Sequence, residues 1–316
     1  FMPLPIWILT GPTASGKTDV ALSIAESIHA EIISADSMLV YRGMDIGTEK
    51  PSAAMQRKVQ HHLIDVVDPW EEYSVGRYVK DFEHIAKYLH QKGKPFIVVG
   101  GTALYLKAIV DGLFEGPPAD WEYRTYLRDV AAAQGPDSLH KMLAEVDAEA
   151  AHKLHSNDHV RIIRALEVIK STGQRISSLQ TQFGKRNPKY DCVMMAIEHD
   201  RSILYQRIET RVDNMLQRGL IEEVGALLAH PMGLSRQASQ ALGYKEVIDF
   251  LGGKYTPLEV SQVIKQSTRR FAKRQMTWFR SFHDIHWIQA SVGDEPSKLS
   301  ENILAGFRHY TRIKFP

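Results

Sequence analysis

The residues at positions 11–18, GPTASGKT, constrain the fold of this chain more than any other stretch. They fit the phosphate-loop pattern of glycine, four residues, glycine, lysine, and serine or threonine. An apolar run at residues 6–9 comes before them, and residues 19–25 place apolar side chains at helical spacing after them. This is the strand–loop–helix setting that the motif requires. The sequence therefore predicts an α/β fold whose first loop binds a diphosphate.

Every residue of this loop is a candidate contact for that diphosphate. Glycines let the backbone fold tightly around an anion, and N–H groups at the start of the following helix point at it. The lysine would reach the more distal phosphate, and the final threonine hydroxyl would ligate Mg²⁺, the cofactor that we expect. A glycine-rich turn that binds nothing is the alternative. The candidate residues are Gly11, Pro12, Thr13, Ala14, Ser15, Gly16, Lys17 and Thr18.

Composition narrows the class of protein. With 316 residues, 44% of them hydrophobic and 24% charged, the chain can bury a substantial core. The net charge of +2 means that a polyanionic partner must bind a local cluster of cations. A single cysteine, Cys192, excludes an internal disulfide and a zinc site of several thiolates. Without a long apolar stretch or a signal sequence, we expect a cytoplasmic protein that contacts no membrane.

Two further strand ends carry polar residues. Asp36 follows the apolar segment 31–35, and Thr102 follows a buried-type strand at 96–99 and two glycines. Ligands of open parallel sheets bind beyond the carboxyl ends of the strands, so both side chains should lie beside the 11–18 loop. Asp36 would be a metal-linked carboxylate or a general base, and a cap of the next turn is the alternative. His61-His62 could suggest a metal-binding pair, but we favour a structural pair, because adjacent side chains on a strand or helix diverge.

A change in composition divides the chain. Glycines and prolines at 112–118 mark a boundary, and segments from 121 to about 178 have helical patterns. We predict a P-loop NTPase-like parallel sheet core flanked by helices, at residues 1–112 and 190–290. An all-helical insertion domain takes residues 113–189, and a peripheral C-terminal helix takes residues 291–316.

Basic residues cluster in two places. The insertion carries a positive face that suits nucleic-acid phosphates or, equally, a solvated helix surface, and it comprises Arg161, Arg164, Lys170, Arg175, Lys185, Arg186 and Lys189. Within 259–281, like charges repeat four residues apart, which favours a bound polyanion over a buried network with acids of another segment. This second cluster comprises Lys265, Arg269, Arg270, Lys273, Arg274 and Arg280. Arg207 and Arg211 also share a helix face, so one or both should meet the diphosphate.

Taken in order, these stretches resemble the bacterial tRNA dimethylallyltransferases, the adenosine-37 isopentenyltransferase family. The matching stretches span almost the whole chain, and include GPTASGKT (11–18), DSMLVYRGMDIGTEKP (36–51), HHLID (61–65), GGTALYLKAIVDGL (100–113), DHVRIIRALEV (158–168), RIETRVDNML (207–216), ALGYKE (241–246) and TRRFAKRQMTWFR (268–280). Ala103 stands where the family more often has glycine. With one cysteine, Cys192, we expect no zinc finger like that of the eukaryotic relatives.

The resemblance implies transfer of a dimethylallyl group from dimethylallyl diphosphate to N6 of adenosine 37 of tRNA, with loss of pyrophosphate. Asp36 would be the general base, Thr102 would hold the target nucleotide, and Lys17, Arg211 and Mg²⁺ would stabilise the leaving diphosphate. The target base would flip into a channel beside the loop. We expect a monomer whose tRNA contacts are Asp36, Ser37, Met38, Leu39, Thr102, Arg124, Val160, Arg161, Ile162, Ile163, Arg164, Gln240, Gly243, Tyr244, Lys245, Lys273 and Arg274.

Two other functions fit the loop less well. A small-molecule kinase would use ATP on the same loop, but the strand at 96–99 runs into glycines and not into the usual second acidic motif. An RNA-binding module with a vestigial loop would have no activity to lose on mutation of Asp36.

Overall fold

The computed structural model describes residues 3–114, 116–179, 185–291, 293 and 295–311. The chain forms two compact units: residues 1–110 with 188–316, here called the sheet unit, and residues 111–187, here called the helical unit. These bounds lie close to those predicted from the composition.

Within the described residues, the sheet unit contains six parallel strands in the order β3-β2-β4-β1-β5-β6. The strands are β1 (Leu4–Thr10), β2 (Glu31–Ser34), β3 (His61–His62), β4 (Phe96–Val99), β5 (Tyr190–Glu198) and β6 (Ile285–Gln289). The helices of this unit are α1 (Lys17–Ile28), α2 (Ala53–Lys58), α3 (Val75–Gln91), α4 (Ala103–Val110), α10 (Arg201–Gln217), α11 (Leu220–Ala229), α12 (Tyr244–Leu251), α13 (Pro257–Phe279) and α14 (Pro296–Tyr310), with a 3₁₀ turn at Ala238–Gln240.

The core lies on both faces of the sheet. Along β1, Ile6 and Ile8 contribute to the cluster on one face, whereas Trp7 and Leu9 contribute to the cluster on the other. Successive strand residues point to opposite faces, so a continuous apolar run is what a strand buried on both sides requires. The predicted α/β class with a parallel sheet is confirmed. β6 is an edge strand.

The last helix is a core element, and the prediction that it is peripheral was wrong. Leu299, Ile303 and Phe307 recur every fourth residue of α14 and are at most 7% exposed. They belong to the same cluster as Val20 of α1, and Phe307 stacks on the ring of Trp7 at a centroid distance of 4.9 Å. The helix therefore covers one face of the sheet.

Two smaller features refine the predictions. The helix that carries Arg207 and Arg211 ends before Gly219, whose φ of 97° is readily adopted only by glycine, and α11 begins after it. His61 and His62 form the short edge strand β3, where the His62 ring contacts a Glu31 carboxylate oxygen at 2.6 Å and the His61 ring contacts the Val59 carbonyl at 2.8 Å. Both imidazoles thus have structural partners.

The helical unit packs its helices around a core of its own. They are α5 (Trp121–Gln134), α6 (Ser138–Val146), α7 (Ala148–Lys153), α8 (His159–Thr172) and α9 (Ile176–Leu179), as the helical patterns predicted. Asp120, Asp147 and Asp158 accept hydrogen bonds from the first turns of α5, α7 and α8, which sets where those helices begin. Across the part of the chain that the structure describes, no helix is long and apolar enough to cross a bilayer.

Candidate active site

The 11–18 loop joins β1 to α1 in a conformation suited to an anion. Ala14 and Gly16 both have positive φ, at 63° and 86°, and the Ser15 N–H closes a turn onto the Pro12 carbonyl at 3.2 Å. Gly16 is the residue that precedes the helix, and it has no side chain to accept bonds from the first helical N–H groups. Those donors, and the positive end of the helix dipole, are therefore available to a phosphate.

Lys17 lies folded against the loop. Its ammonium donates to the Pro12 carbonyl at 2.8 Å and to the Ser15 hydroxyl at 3.4 Å. Burial and the nearby Arg211 guanidinium lower the pKa of Lys17 to about 7, while the Asp36 carboxylate opposes that shift. Two cations that repel each other in a half-buried site would be stabilised by an anion of more than one charge.

Side chains of later helices fix the loop from outside. Arg207 donates from Nε to the Ala14 carbonyl at 2.7 Å, so it contacts the loop backbone and not the cavity. Gln275, which is 6% exposed, accepts from the Thr13 N–H at 2.8 Å and donates to the Gly101 carbonyl at 2.8 Å. Gln275 was not among the predicted site residues. The one indication of its role in the sequence is an uncharged polar side chain within the basic stretch 265–280.

The ends of β2 and β4 bring Asp36 and Thr102 together. Thr102 Oγ1 accepts from the Ser37 N–H at 2.9 Å, and Asp36 Oδ1 accepts from the Met38 N–H at 2.8 Å. The strand ends approach so closely at Gly100 that a Cβ there would lie 2.2 Å from the Ala35 carbonyl oxygen. Any side chain at position 100 would push the two strand ends apart, so Gly100 is a packing requirement.

One cavity of about 510 Å³ joins these groups. Its wall mixes the polar residues of the loop and strand ends with apolar residues and with residues of α10 and α13. Arg211 lies in this wall and forms an ion pair with Glu49 at 3.0 Å, and burial lowers the pKa of Arg211. Predicted site residues in the wall are Thr13, Lys17, Thr18, Asp36, Ser37, Met38, Leu39, Thr102, Arg211, Gln240, Lys245 and Arg274.

Two of the predicted tRNA contacts in the sheet unit are buried. Tyr244 is 0% exposed and donates its hydroxyl hydrogen to Glu223 at 2.5 Å, and the preceding Gly243 is also buried. The side chain of Tyr244 is therefore part of the core and does not face a nucleic acid. Lys245, in the next position, is exposed and reaches the cavity wall.

In the helical unit, the predicted contacts at the start of α8 divide between surface and core. Val160 is 82% exposed and Arg161 is exposed, whereas Ile162 and Ile163 are 0% and 6% exposed and belong to the core of that unit. The side chains of these two isoleucines do not face a nucleic acid, because a helix that buries one stripe presents only the opposite stripe.

The two remaining predicted contacts of this unit have an internal partner. Arg124 forms an ion pair at 2.7 Å with the buried carboxylate of Glu167, and Arg164 binds the same carboxylate from the preceding turn of α8. Burial alone would raise the pKa of Glu167, but hydrogen bonds from the two arginines lower it below its ordinary value. Arg124 and Arg164 thus pair with Glu167 inside the unit, and the sequence pattern did not predict these ion pairs.

The basic helix α13 also divides into two sets. Lys265 pairs with Asp213 at 2.6 Å and Arg269 with Glu209 at 2.9 Å, and Arg280, just beyond the helix, pairs with Glu198 at 3.2 Å. The alternative of a network with acids of another segment therefore applies to Lys265 and Arg269, whose side chains are 12% and 27% exposed, whereas that of Arg280 is 65% exposed. Arg270 and Arg274 lie in the cavity wall and Lys273 is exposed, and these three are the cations of α13 that a polyanion can reach.

Comparisons with known proteins agree with this geometry. Residues 39–282 match the family model described as IPP transferase. The chain is 44% identical over 281 residues to a protein of Geotalea daltonii named tRNA dimethylallyltransferase 2, which covers 89% of this chain and 86% of that protein. It is 42% identical over 308 residues to the tRNA dimethylallyltransferase of Pelotomaculum thermopropionicum, covering 95% of this chain and 98% of that protein.

Solved structures of proteins with related names are also similar to this chain. The tRNA isopentenylpyrophosphate transferase of Bacillus halodurans is similar with a TM-score of 0.71 and 35% identity, over 97% of both chains. A eukaryotic dimethylallyltransferase acting on tRNA is similar with a TM-score of 0.74 and 28% identity, over 91% of this chain and 74% of that one. The chain therefore belongs to the IPP transferase family, as its sequence motifs predicted.

Proposed function

We propose that this protein transfers a dimethylallyl group from dimethylallyl diphosphate to N6 of the adenosine that follows the anticodon in tRNA, and releases pyrophosphate. The relatives at 42–44% identity, which match over most of their length, are named tRNA dimethylallyltransferases. The observation that carries the proposal is one cavity that holds an anion-binding loop at one part of its wall and an Asp–Thr pair at another.

The nucleophile needs a base. The lone pair of an exocyclic adenine amine is delocalised into the ring, so the amine attacks well only if a carboxylate orients it and takes its proton. Asp36 is fixed through Oδ1 by the Met38 N–H, and Thr102 lies beside it on the neighbouring strand end. As the N6–carbon bond forms and the carbon–oxygen bond to diphosphate breaks, the amine proton passes to Asp36.

The leaving group needs positive charge. An allylic carbon can bear developing positive charge itself, so the greater demand is to stabilise the departing diphosphate. Lys17 and Arg211 line the same cavity, together with Thr13 and Thr18 of the 11–18 loop, and supply that stabilisation. The lowered pKa of Lys17 would rise when the anion binds, which restores its full charge during the reaction.

The residues present also fit a magnesium ion. Mg²⁺ prefers few protein oxygens together with phosphate oxygens and water. The Thr18 hydroxyl lies in the cavity wall and would provide such a ligand, which leaves the Asp36 carboxylate to act as the base. When bound, the ion would neutralise part of the diphosphate charge.

The tRNA would approach along α13. Among the residues that the structure describes, no ion pair involves Arg270, Lys273 or Arg274, so their charges are available to phosphates, and Phe271 lies in the cavity wall with Arg270 and Arg274. Flipping a base out of an anticodon loop costs a few kcal/mol, roughly, which such contacts can offset. A tRNA substrate supports action in the cytoplasm.

A pyrophosphate-release assay tests this function. Release should require both tRNA and dimethylallyl diphosphate, and ATP should not replace the prenyl donor. Phosphoryl transfer from ATP to any acceptor, with no pyrophosphate release from the prenyl donor, would instead identify the protein as a kinase.

A further inference from the structure

Arg211 reaches the cavity as the partner of Glu49, an acid for which the sequence predicted no role. Its guanidinium forms an ion pair of 3.0 Å with Glu49, and the two side chains are 21% and 37% exposed. Glu49 lies at the end of the 38–51 loop, in the wall of the cavity that also contains Lys17.

The backbone of Glu49 is unusual for its residue type. Its φ is 52°, in the left-handed region that glutamate seldom adopts. The Glu49 N–H closes a turn onto the Ile46 carbonyl at 3.1 Å, and the Lys50 N–H closes another onto Asp45 at 3.0 Å. Such a conformation persists only where the surroundings impose it.

A buried lysine holds one side of the turn that contains Glu49. Lys50 is the next residue, its side chain is 5% exposed, and its ammonium contacts three oxygens. These are the Tyr41 carbonyl at 2.7 Å, an Asp45 carboxylate oxygen at 2.6 Å and an Asp65 carboxylate oxygen at 2.5 Å. The loop is thereby attached to the segment that follows β3.

A carboxylate of α11 holds the other side of the same turn. Glu223 accepts hydrogen bonds from the N–H groups of Asp45, Ile46 and Gly47, at 3.0, 2.8 and 3.3 Å. The Tyr244 hydroxyl donates to the same carboxylate. The turn that carries Glu49 is therefore fixed by contacts that do not involve Arg211.

We propose that Glu49 is a positioning residue: it keeps the Arg211 guanidinium in the cavity beside Lys17, so that both cations face the diphosphate before it binds. The proposal rests on the proposed function. Without a counter-charge, repulsion between Arg211 and Lys17 would favour conformers in which the arginine turns away. Preorganised charge stabilises a leaving group more effectively than charge that must be assembled during the reaction.

Glu49→Gln tests this, because it keeps the shape of the side chain and removes its charge. We expect kcat to fall about tenfold, the affinity for pyrophosphate to weaken and the KM for tRNA to stay unchanged. Asp249→Asn is the matched control, since Asp249 forms an ion pair of the same length, 3.0 Å, with Lys254 and is 32% exposed. It should change none of these values.

A double-mutant cycle separates positioning from mere structural support. If Glu49 acts through Arg211, Glu49→Gln should cost less than about twofold in an Arg211→Lys background. Multiplicative losses, or a kcat within twofold of wild type for Glu49→Gln alone, would overturn the proposal. Tighter pyrophosphate binding in Glu49→Gln would also overturn it, because Glu49 would then be obstructing the site. Calorimetric titration with pyrophosphate reads the role of Glu49 even if the wild type fails to transfer a prenyl group, so failure of the proposed function is recognised separately.

Discussion

The Thr102 hydroxyl oxygen lies 2.9 Å from the backbone nitrogen of Ser37, and accepts its hydrogen. This bond, with the bond from the Thr102 N–H to the Ala35 carbonyl at 3.1 Å, ties the end of β4 to the end of β2. Asp36 lies between these two attachment points. Its backbone position is therefore set by the sheet and not by a free loop, which is the rigidity that a general base requires.

Asp36→Ala should reduce single-turnover transfer by about 10²- to 10⁴-fold, the contribution typical of a general base. Binding of tRNA should stay within about twofold of wild type, because phosphate contacts provide most of the affinity for nucleic acid. Rapid-quench kinetics and filter binding measure the two quantities. Retained turnover would remove Asp36 as the base, and a parallel loss of binding would assign it to tRNA docking.

Pyrophosphate binding should take up protons near neutral pH. The free protein has Lys17 with a pKa of about 7, so at pH 8 most of the lysine is neutral. A bound anion raises that pKa, and the affinity should therefore fall as the pH rises from about 7 to 9. Titration calorimetry in two buffers of different ionisation enthalpy counts the protons. Lys17→Met should abolish the uptake, and a pH-independent wild type would contradict the expectation.

The two sets of cations on α13 should differ in the salt dependence of tRNA binding. Neutralising Arg270, Lys273 and Arg274 together should reduce the slope of log K against log salt by about two, given the value per contact for single strands. Neutralising Lys265 and Arg269, which pair with Asp213 and Glu209, should change the slope much less. Equal effects of the two variants would show that the ion pairs open on binding.

Phe307→Ala should destabilise the protein by about 3–5 kcal/mol, the cost of truncating a buried aromatic side chain. Phe307 is fully buried and stacks on Trp7, so its removal leaves a cavity at the sheet face. Leu258, at 86% exposure, provides a control whose change to alanine should cost less than about 0.5 kcal/mol. Chemical denaturation measures both, and a cost at Phe307 as small as that at Leu258 would contradict this expectation.

The strands and the site-bearing ends of the sheet were predictable because their signals are local. An apolar run bounded by glycines identifies β1 and β4, and parallel topology then brings the 11–18 loop, Asp36 and Thr102 to one edge. The burial of α14 was not predicted. Its apolar spacing every fourth residue identifies a face but does not say what covers it.

The ion pairs and the loop anchors were not predictable for a related reason. Lys265 and Asp213 are neighbours only because α10 packs beside α13, and Gln275 meets Thr13 across 262 positions of sequence. The same holds for Glu49, whose role depends on Arg211 of α10. Contacts between side chains that are distant in sequence follow from the tertiary packing, which no local pattern encodes.

The central claim is tested most directly by nucleoside mass spectrometry. Purified protein would be incubated with unmodified tRNA that has adenosines after its anticodon, dimethylallyl diphosphate and Mg²⁺. We expect one adenosine on the 3′ side of the anticodon to gain a dimethylallyl group, and no gain with Asp36→Ala. Unmodified adenosines after incubation with the wild type, together with consumption of added ATP, would contradict the assignment of the cavity to prenyl transfer.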